Sequence, residues 1–446
     1  MTTVSDVLIV GAGVIGSSIA LELARAGHSV RVVDKGPGAG HGSTSASSAV
    51  IRFNYSTQTG VATSWEAAQC WQSWSEHLGG KVAEPLAKFY RCGWTFLDTP
   101  VAPAERSMAL FDACGVPYEY LDAAALAARN PLMDVGSYYP PKAIDDDHFF
   151  DDAAGTLGAL YTPDGGFVDD PRLAAANLAD AAVAHGATFS YKTRVLAATC
   201  EEDDDPARSL RSRHRVWRVE TDRGETLEAP IVVNAAGPWS GALNRLAGVG
   251  DDFTVTVQAL RQEVAHVSAP PGYNSADGLG TAIGDLDLGT YMRPEPGGGF
   301  LVGGTEPECD PLEWIDDPDT ANLNRTPLQF ERQVMRAARR LPELGIPSQP
   351  RGIAGVYDVS TDWAPIYDKT DRPGFYVAIG TSGNQFKNAP LVGRLMTTLI
   401  TAVENGADHD GEPVHHRGEH TGLDIDLGAF SRRRPVNPDS TGTVMG

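Results

Sequence analysis

A mixed α/β fold, in which a Rossmann-like nucleotide-binding domain is interleaved with a sheet-rich second domain, is predicted by three observations. A complete strand, glycine turn, helix and second strand occupies the chain up to Asp34. A second strand–glycine–helix entry lies far downstream, at residues 375–403. Much of the sequence between them is strand-rich and punctuated by glycines. With 446 residues the chain suits two large domains or about three average ones.

The first unit opens on Val7-Leu8-Ile9-Val10, a short apolar run of the kind that forms a buried parallel strand. Gly11, Gly13 and Gly16 follow at G-x-G-x-x-G spacing. Ile15, Ile19 and Leu23 then mark one helix face that stops at Gly27, and residues 28–33 form a second strand ending in Asp34. Glycine spacing alone is a weak signal. Strand, turn, helix, strand and terminal acid in order, within one βαβ length, specify a dinucleotide site. Gly11 permits the sharp turn, Gly13 lets a pyrophosphate approach the backbone, and Gly16 lets helix and strand pack closely. Val14 and Ile15 open the helix whose free N–H groups favour the anion. Asp34, followed by Lys35, is placed to accept hydrogen bonds from ribose hydroxyls.

The segment after Asp34 is long, polar and built of small residues, with Gly42, Ser43, Thr44 and Ser47 able to follow an extended cofactor. On composition alone it reads rather as a flexible surface loop. The remainder of the chain separates the two. Residues 231–240 form an apolar strand ending in Ala236, Gly237 and Trp239. Residues 375–380 form another that runs into Gly383, Asn384, Gln385, Phe386 and Lys387, then a helix over 391–403. Two such entries suit a ligand with two ends, ADP at the first and an isoalloxazine ring at the second. FAD is therefore favoured over NAD.

The FAD domain is expected to be discontinuous, over residues 1–83, 151–250 and 350–405, with a substrate domain over 84–150 and 251–349 and a tail over 406–446. Residues 84–150 look irregular. A helix is expected over 172–187 and another over 328–341, with a hairpin of 214–220 and 225–228 across Asp222-Arg223-Gly224. The acidic run 201–205 and the following Arg208, Arg211, Arg213 and Arg215 read as a solvated insertion. The tail reads as a surface wrap with disordered last residues.

Composition excludes several classes. Acidic residues outnumber basic ones, 58 to 36, for a formal net charge of −22, which argues against nucleic acid or an anionic membrane as partner. No apolar run approaches a membrane span, and no leader pattern is present. Five dispersed cysteines, never in C-x-x-C spacing, argue against a disulfide framework or zinc site and for the cytoplasm. The pair His415-His416 has no further ligand at metal spacing, so no metal is expected.

Six stretches, taken together, resemble a known family. They are G-A-G-V-I-G with V-V-D-K-G, then G-G-F-V-D-D-P-R at 165–172, V-V-N-A-A-G-P-W at 232–239, R-Q-E-V at 261–264, Y-D-V-S-T-D-W-A-P-I at 357–366 and G-T-S-G-N-Q-F-K at 380–387. Their order resembles the D-amino-acid-oxidase superfamily of FAD enzymes, on its sarcosine oxidase and dimethylglycine or sarcosine dehydrogenase branch, over the chain to about residue 405. The resemblance implies hydride transfer from the C–N bond of a secondary or tertiary amino acid to flavin N5, giving an imine that hydrolyses. It places Val195 among the cofactor residues. It assigns Arg52, flanked by Val50, Ile51 and Phe53, to the substrate carboxylate, Lys387 to assist it, and Tyr55 to the site. Arg52 and Lys387 are also candidate cofactor contacts.

Four departures bear on the reading. Ala46 stands where the dehydrogenase branch carries a tethering histidine, and Gly355 where monomeric sarcosine oxidases carry a tethering cysteine, so FAD is expected to be non-covalent. Val302 falls on an oxidase lysine in an ungapped match, which leaves the electron acceptor as oxygen or another redox partner. Asn384 replaces a family histidine. Alternatives are a D-amino-acid or primary-amine dehydrogenase, a flavin monooxygenase, or an electron-relay subunit of a larger complex.

Overall fold

The computed structural model describes residues 2–202, 215–275 and 278–446. Of the insertion read above, residues 203–213 lie outside them, whereas Glu201 and Glu202 end the strand Val195–Glu202 and Arg215 opens the strand Arg215–Thr221. Among the described residues, six strands form a sheet in the order Thr188–Ser190, Val30–Val33, Val7–Val10, Ile231–Asn234, Phe375–Ile379 and Ile366–Lys369. All neighbours are parallel except the last pair. Alternation along the strands divides the core. Val7 and Ile9 pack with Ile19 and Leu23 of the helix Val14–Arg25, with Leu178 of Pro171–Ala184 and with Leu395 of Ala389–Glu404. Leu8 and Val10 pack the other way, against Trp217, Val219 and Leu243. That second face is covered by a four-stranded sheet that includes Arg215–Thr221 and Thr226–Ala229, the hairpin expected from Asp222-Arg223-Gly224.

A larger, nine-stranded sheet stands over the cleft. Its long strands Val257–Ser268 and Gly352–Ser360 pair antiparallel, and Gly299–Gly304 and Thr290–Pro294 continue it. The helix Pro327–Arg340 seals one face through Phe330, Val334 and Ala337, while Tyr291 and Tyr357 look out from the other. Thr326 starts that helix by accepting from Gln329 N–H. The R-Q-E-V stretch anchors it, because Glu263 accepts from Thr326 and pairs with the buried Arg261 at 2.7 Å.

The expected boundaries need adjustment. Ala159–Thr162 and Gly352–Ser360 lie in the larger sheet, not in the parallel one. Residues 84–150 are not irregular: they hold the helices Ala104–Cys114 and Ala123–Arg129 and the strand Trp94–Leu97. We propose the two large sheets as the cores of two interleaved domains.

The tail is anchored rather than loose. Arg432, wholly buried, pairs with Asp252 at 2.7 Å, Asp368 at 3.0 Å and Asp410 at 2.9 Å, and Arg434 pairs with Asp362 at 2.7 Å. Val444 and Met445 are buried beneath the larger sheet. The expected disordered end is therefore overturned. Partnered arginines at positions that composition reads as solvated supply the anchor.

An aromatic column runs from the cleft into the helical layer. Phe386 stacks on Trp71 at 5.3 Å, Trp71 on Trp74 at 4.4 Å, and Trp74 on His77 at 5.5 Å. Both ring nitrogens of His77 are buried, without a partner among the described residues. Burial, then the charges of Arg394 and Arg25, push its pKa down to about 3. The unfolded imidazole takes its proton near pH 6.5, so below that pH only the unfolded state is favoured by protonation. The folded state should thus lose about 2 kcal/mol from this residue between pH 6.5 and 5. His77→Phe keeps the stack and cannot protonate. Its melting temperature should fall less than that of the parent between pH 7.5 and 5.5; equal slopes would refute the assignment.

Candidate active site

A cleft of about 270 Å³ runs between the two large sheets, from Thr193, Arg194 and Val195 at one end to Gly383, Gln385 and Phe386 at the other. The glycine turn forms its floor. Gly11, at φ +113°, lies where an added Cβ would sit 2.2 Å from the Ala235 carbonyl oxygen, so this approach of two neighbouring strand ends requires glycine. A Cβ on Gly16 would meet the Gly11 carbonyl at 2.0 Å; Gly16 packs the helix and does not line the cleft. Gly13 is different. A Cβ there would find only the Thr44 hydroxyl, at 3.3 Å, and its open side faces the cleft.

Val14 and Ile15 line the cleft at the helix start, as do Gly42, Ser43, Thr44, Ser47, Ala236, Gly237 and Trp239. The 42–47 segment is therefore not a remote surface loop: Val14 N–H donates to Thr44 Oγ1 at 3.1 Å, and Ser43 Oγ donates to the Val356 carbonyl. Asp34 lines the cleft and also braces it. Its Oδ2 accepts from Ala12 N–H and its Oδ1 from Gly36 N–H, each at 2.6 Å. Lys35 lies 3.6 Å over the Trp239 ring and pairs with Asp319, which also accepts from Arg194 and from Trp239 Nε1. The far end of the cleft is thus latched from three segments.

At the other end the cleft continues, through Ser47, Tyr357, Gly383 and Phe386, into a smaller cavity of about 40 Å³ that holds Arg52, Asn384 and Lys387. Gly383, at φ +67°, leaves room for the Tyr357 ring, which an added Cβ would meet at 2.4 Å. Arg52 is 4 % and Lys387 3 % exposed. Among the described residues neither has a carboxylate partner. Arg52 donates only to the carbonyls of Asn54 and Val444, and Lys387 to the Asn384 carbonyl. Burial draws the Arg52 pKa down to about 10 and pushes that of Lys387 well below the usual lysine range, helped by the charge of Arg52. Two desolvated cations without a counter-ion favour an anionic ligand.

Tyr55 stands behind this pair. Its ring centre is 5.5 Å from the Arg52 guanidinium carbon and 4.6 Å from Lys387 Nζ. Its hydroxyl accepts from Gln385 at 3.0 Å and Asn388 at 3.2 Å. It lines neither cavity and lies against the two cations. Trp71 Nε1 steadies the same segment from below, donating to the Lys387 carbonyl at 2.8 Å.

One placement differs from the sequence reading, and two more were not foreseen by it. Val302 sits cross-strand from Met292, wholly buried against the helix Pro327–Arg340, on the opposite face from Tyr291. A side chain there cannot reach the cleft, so the ungapped match says nothing about oxygen. Ala46 and Gly355 face each other, the Ala46 Cβ 2.6 Å from where a Gly355 Cβ would stand, beside Ser43 and Tyr357. Asp358 and Thr381 line the cleft without having been assigned a role, although both lie in quoted motifs. Asp358 Oδ1 accepts from the Thr381 hydroxyl, and its Oδ2 is buried without a partner among the described residues. Burial raises its pKa.

A family model described as FAD dependent oxidoreductase, the DAO family, matches residues 6–399. The chain belongs to this family. Among its relatives are a glycine oxidase of Geobacillus kaustophilus, 26 % identical over 92 % of this chain and 96 % of that protein, and the FAD-dependent oxidoreductase domain-containing protein 1 of Xenopus laevis, 25 % identical over 89 % and 79 %. Among solved structures, L-proline dehydrogenase from P. horikoshii superposes with a TM-score of 0.73 at 20 % identity, covering 97 % of this chain and 98 % of its own. This DAO-family protein is an FAD-dependent oxidoreductase with the mixed α/β, Rossmann-like fold its glycine unit predicts. Its cleft fits the cofactor: the open side of Gly13, the Thr44 hydroxyl at the helix start and the unpaired oxygen of Asp358 all wait on a polar, extended ligand. Among the described residues no helix is long and apolar enough to cross a membrane.

Proposed function

We propose that this oxidoreductase oxidises the C–N bond of a small amino acid bound by its carboxylate at Arg52 and Lys387, giving an imine that water hydrolyses. The observation that carries the reading is the pair of buried cations without a carboxylate partner, at the end of the cleft marked by Gly383 and Phe386. FAD, when bound, supplies the two-electron acceptor. The chain's own part is to hold the carboxylate, exclude water and orient the carbon beside nitrogen. A charge-assisted, two-point grip by Arg52 fixes that orientation.

A secondary or tertiary amino acid, N-methylated or cyclic, is the first choice. Its support is the motif order shared with the sarcosine oxidase branch and the likeness of a mouse sarcosine dehydrogenase, 26 % identical over 62 % of this chain and 26 % of that longer protein. A primary amino acid is the second. It is favoured by Asn384 in place of the family histidine and by the nearly full-length likeness to a glycine oxidase. We further propose that FAD is held non-covalently, since Ala46 and Gly355 offer no tethering atom, and that the enzyme works in the cytoplasm.

The test is anaerobic flavin reduction by a panel of glycine, N-methylglycine, dimethylglycine and both enantiomers of proline and alanine. Bleaching of the flavin absorbance by at least one is expected. Reoxidation by oxygen, and then by an artificial acceptor, identifies the electron acceptor. A flavin that no member of the panel bleaches would end the amino-acid reading.

A further inference from the structure

The main chain of one residue bridges Arg52 and Glu306. Val444 accepts from Arg52 Nη2 through its carbonyl at 2.6 Å and donates its N–H to Glu306 Oε2 at 2.8 Å. With Met445 it lines the same small cavity as Arg52, Lys387, Tyr291 and Tyr357. The N–H and C=O of one residue flank a single Cα, as the amine and carboxylate of an amino acid do. Glu306 reaches this position from left-handed backbone, φ +49°, which a non-glycine residue adopts only when its surroundings hold it there. Among the described residues no cation pairs with it. Desolvation pushes its carboxyl up to about 8, and its charge is felt by Tyr291 and Tyr357, the titratable groups facing it from the larger sheet.

We propose that Val444 holds the place of the substrate, and that Glu306 receives the substrate's amine nitrogen once the 443–446 segment moves aside. The proposal rests on the amino-acid reading above. With the carboxylate on Arg52, the ammonium group lies beside Glu306. One N–H bond breaks, an O–H bond forms on the Glu306 carboxylate, and the nitrogen keeps the electron pair. The amine is then neutral, as loss of hydride from the adjacent carbon requires. No oxidant takes part in this step.

The test compares three holoenzymes: the full chain, Glu306→Gln, and a chain ended after Gly442. Binding of pyrrole-2-carboxylate, a flat amino-acid analogue, is followed through the flavin spectrum. Reduction by the panel amino acid that bleaches the parent is followed by stopped flow from pH 6 to 10. Ending the chain after Gly442 should tighten the analogue about tenfold, because a resident competitor has gone. Glu306→Gln should slow reduction at neutral pH about a hundredfold and remove the rise in rate through the Glu306 titration. If Glu306→Gln fails to hold FAD, Glu306→Asp should shift that inflection instead. Weaker analogue binding by the shortened chain, or an unchanged pH profile in the Glu306 variant, would overturn the proposal while leaving the amino-acid reading intact. If neither the full nor the shortened chain is bleached by any amino acid, the functional reading falls and this inference with it.

Discussion

Replacing Arg52 with methionine is expected to weaken amino-acid binding at least a hundredfold while leaving the FAD content at the parental level. Arg52 is buried in the small cavity and bonded only to the carbonyls of Asn54 and Val444. A carboxylate arriving there would gain a charge-assisted pair in a dry site, where losing one partner costs about 3 kcal/mol or more. A factor of a hundred in Kd corresponds to about 2.7 kcal/mol, so a hundredfold loss is the least that such a cost implies. Methionine keeps much of the volume and none of the charge. The measurement is the concentration dependence of anaerobic flavin reduction, with bound flavin quantified separately. Unchanged half-saturation in Arg52→Met would remove the carboxylate from this end of the cleft.

The second large effect is expected at the glycine turn, where two glycines that flank Ala12 should fail in different ways. Gly13→Val should yield a folded protein that has lost FAD. Its Cβ would meet only the Thr44 hydroxyl, on the side that faces the cleft, where the backbone must admit the pyrophosphate. Gly11→Val should not fold stably. Its Cβ would sit 2.2 Å from the Ala235 carbonyl oxygen, at a φ of +113° that valine cannot adopt without severe strain. Far-ultraviolet circular dichroism and the flavin absorbance of the purified proteins distinguish the two. Stoichiometric FAD in Gly13→Val would show that the pyrophosphate does not cross this glycine.

Much of the cofactor cleft was legible because it depends on local chemistry. A strand, a turn that needs glycine, a helix and an acid occur within 34 residues, and each is dictated by backbone sterics or by the helix dipole. Asp34 shows where that legibility stops. Its residue type suits a ribose contact, yet its two oxygens also brace the turn through Ala12 and Gly36, an arrangement that spacing does not encode. Val302 shows the opposite failure. An ungapped match set it on an oxidase lysine, whereas its pairing with Met292 turns it into the helix-side core. In a strand one residue's slip exchanges the faces.

The sequence by itself determined the class of fold, the dinucleotide turn, the family motifs and the chemical identity of the two cations. Those follow from periodicity, glycine sterics and residue type, which are local. Only the tertiary structure decided that Arg52 and Lys387, separated by 335 positions, share one cavity without a carboxylate between them. It alone decided that Tyr55 lies behind them, and that Val444, expected in a loose tail, stands between Arg52 and Glu306. The physical reason is that desolvation belongs to a place and not to a residue. Whether a charge is paired, and what must come to pair with it, is settled only when distant segments close around it.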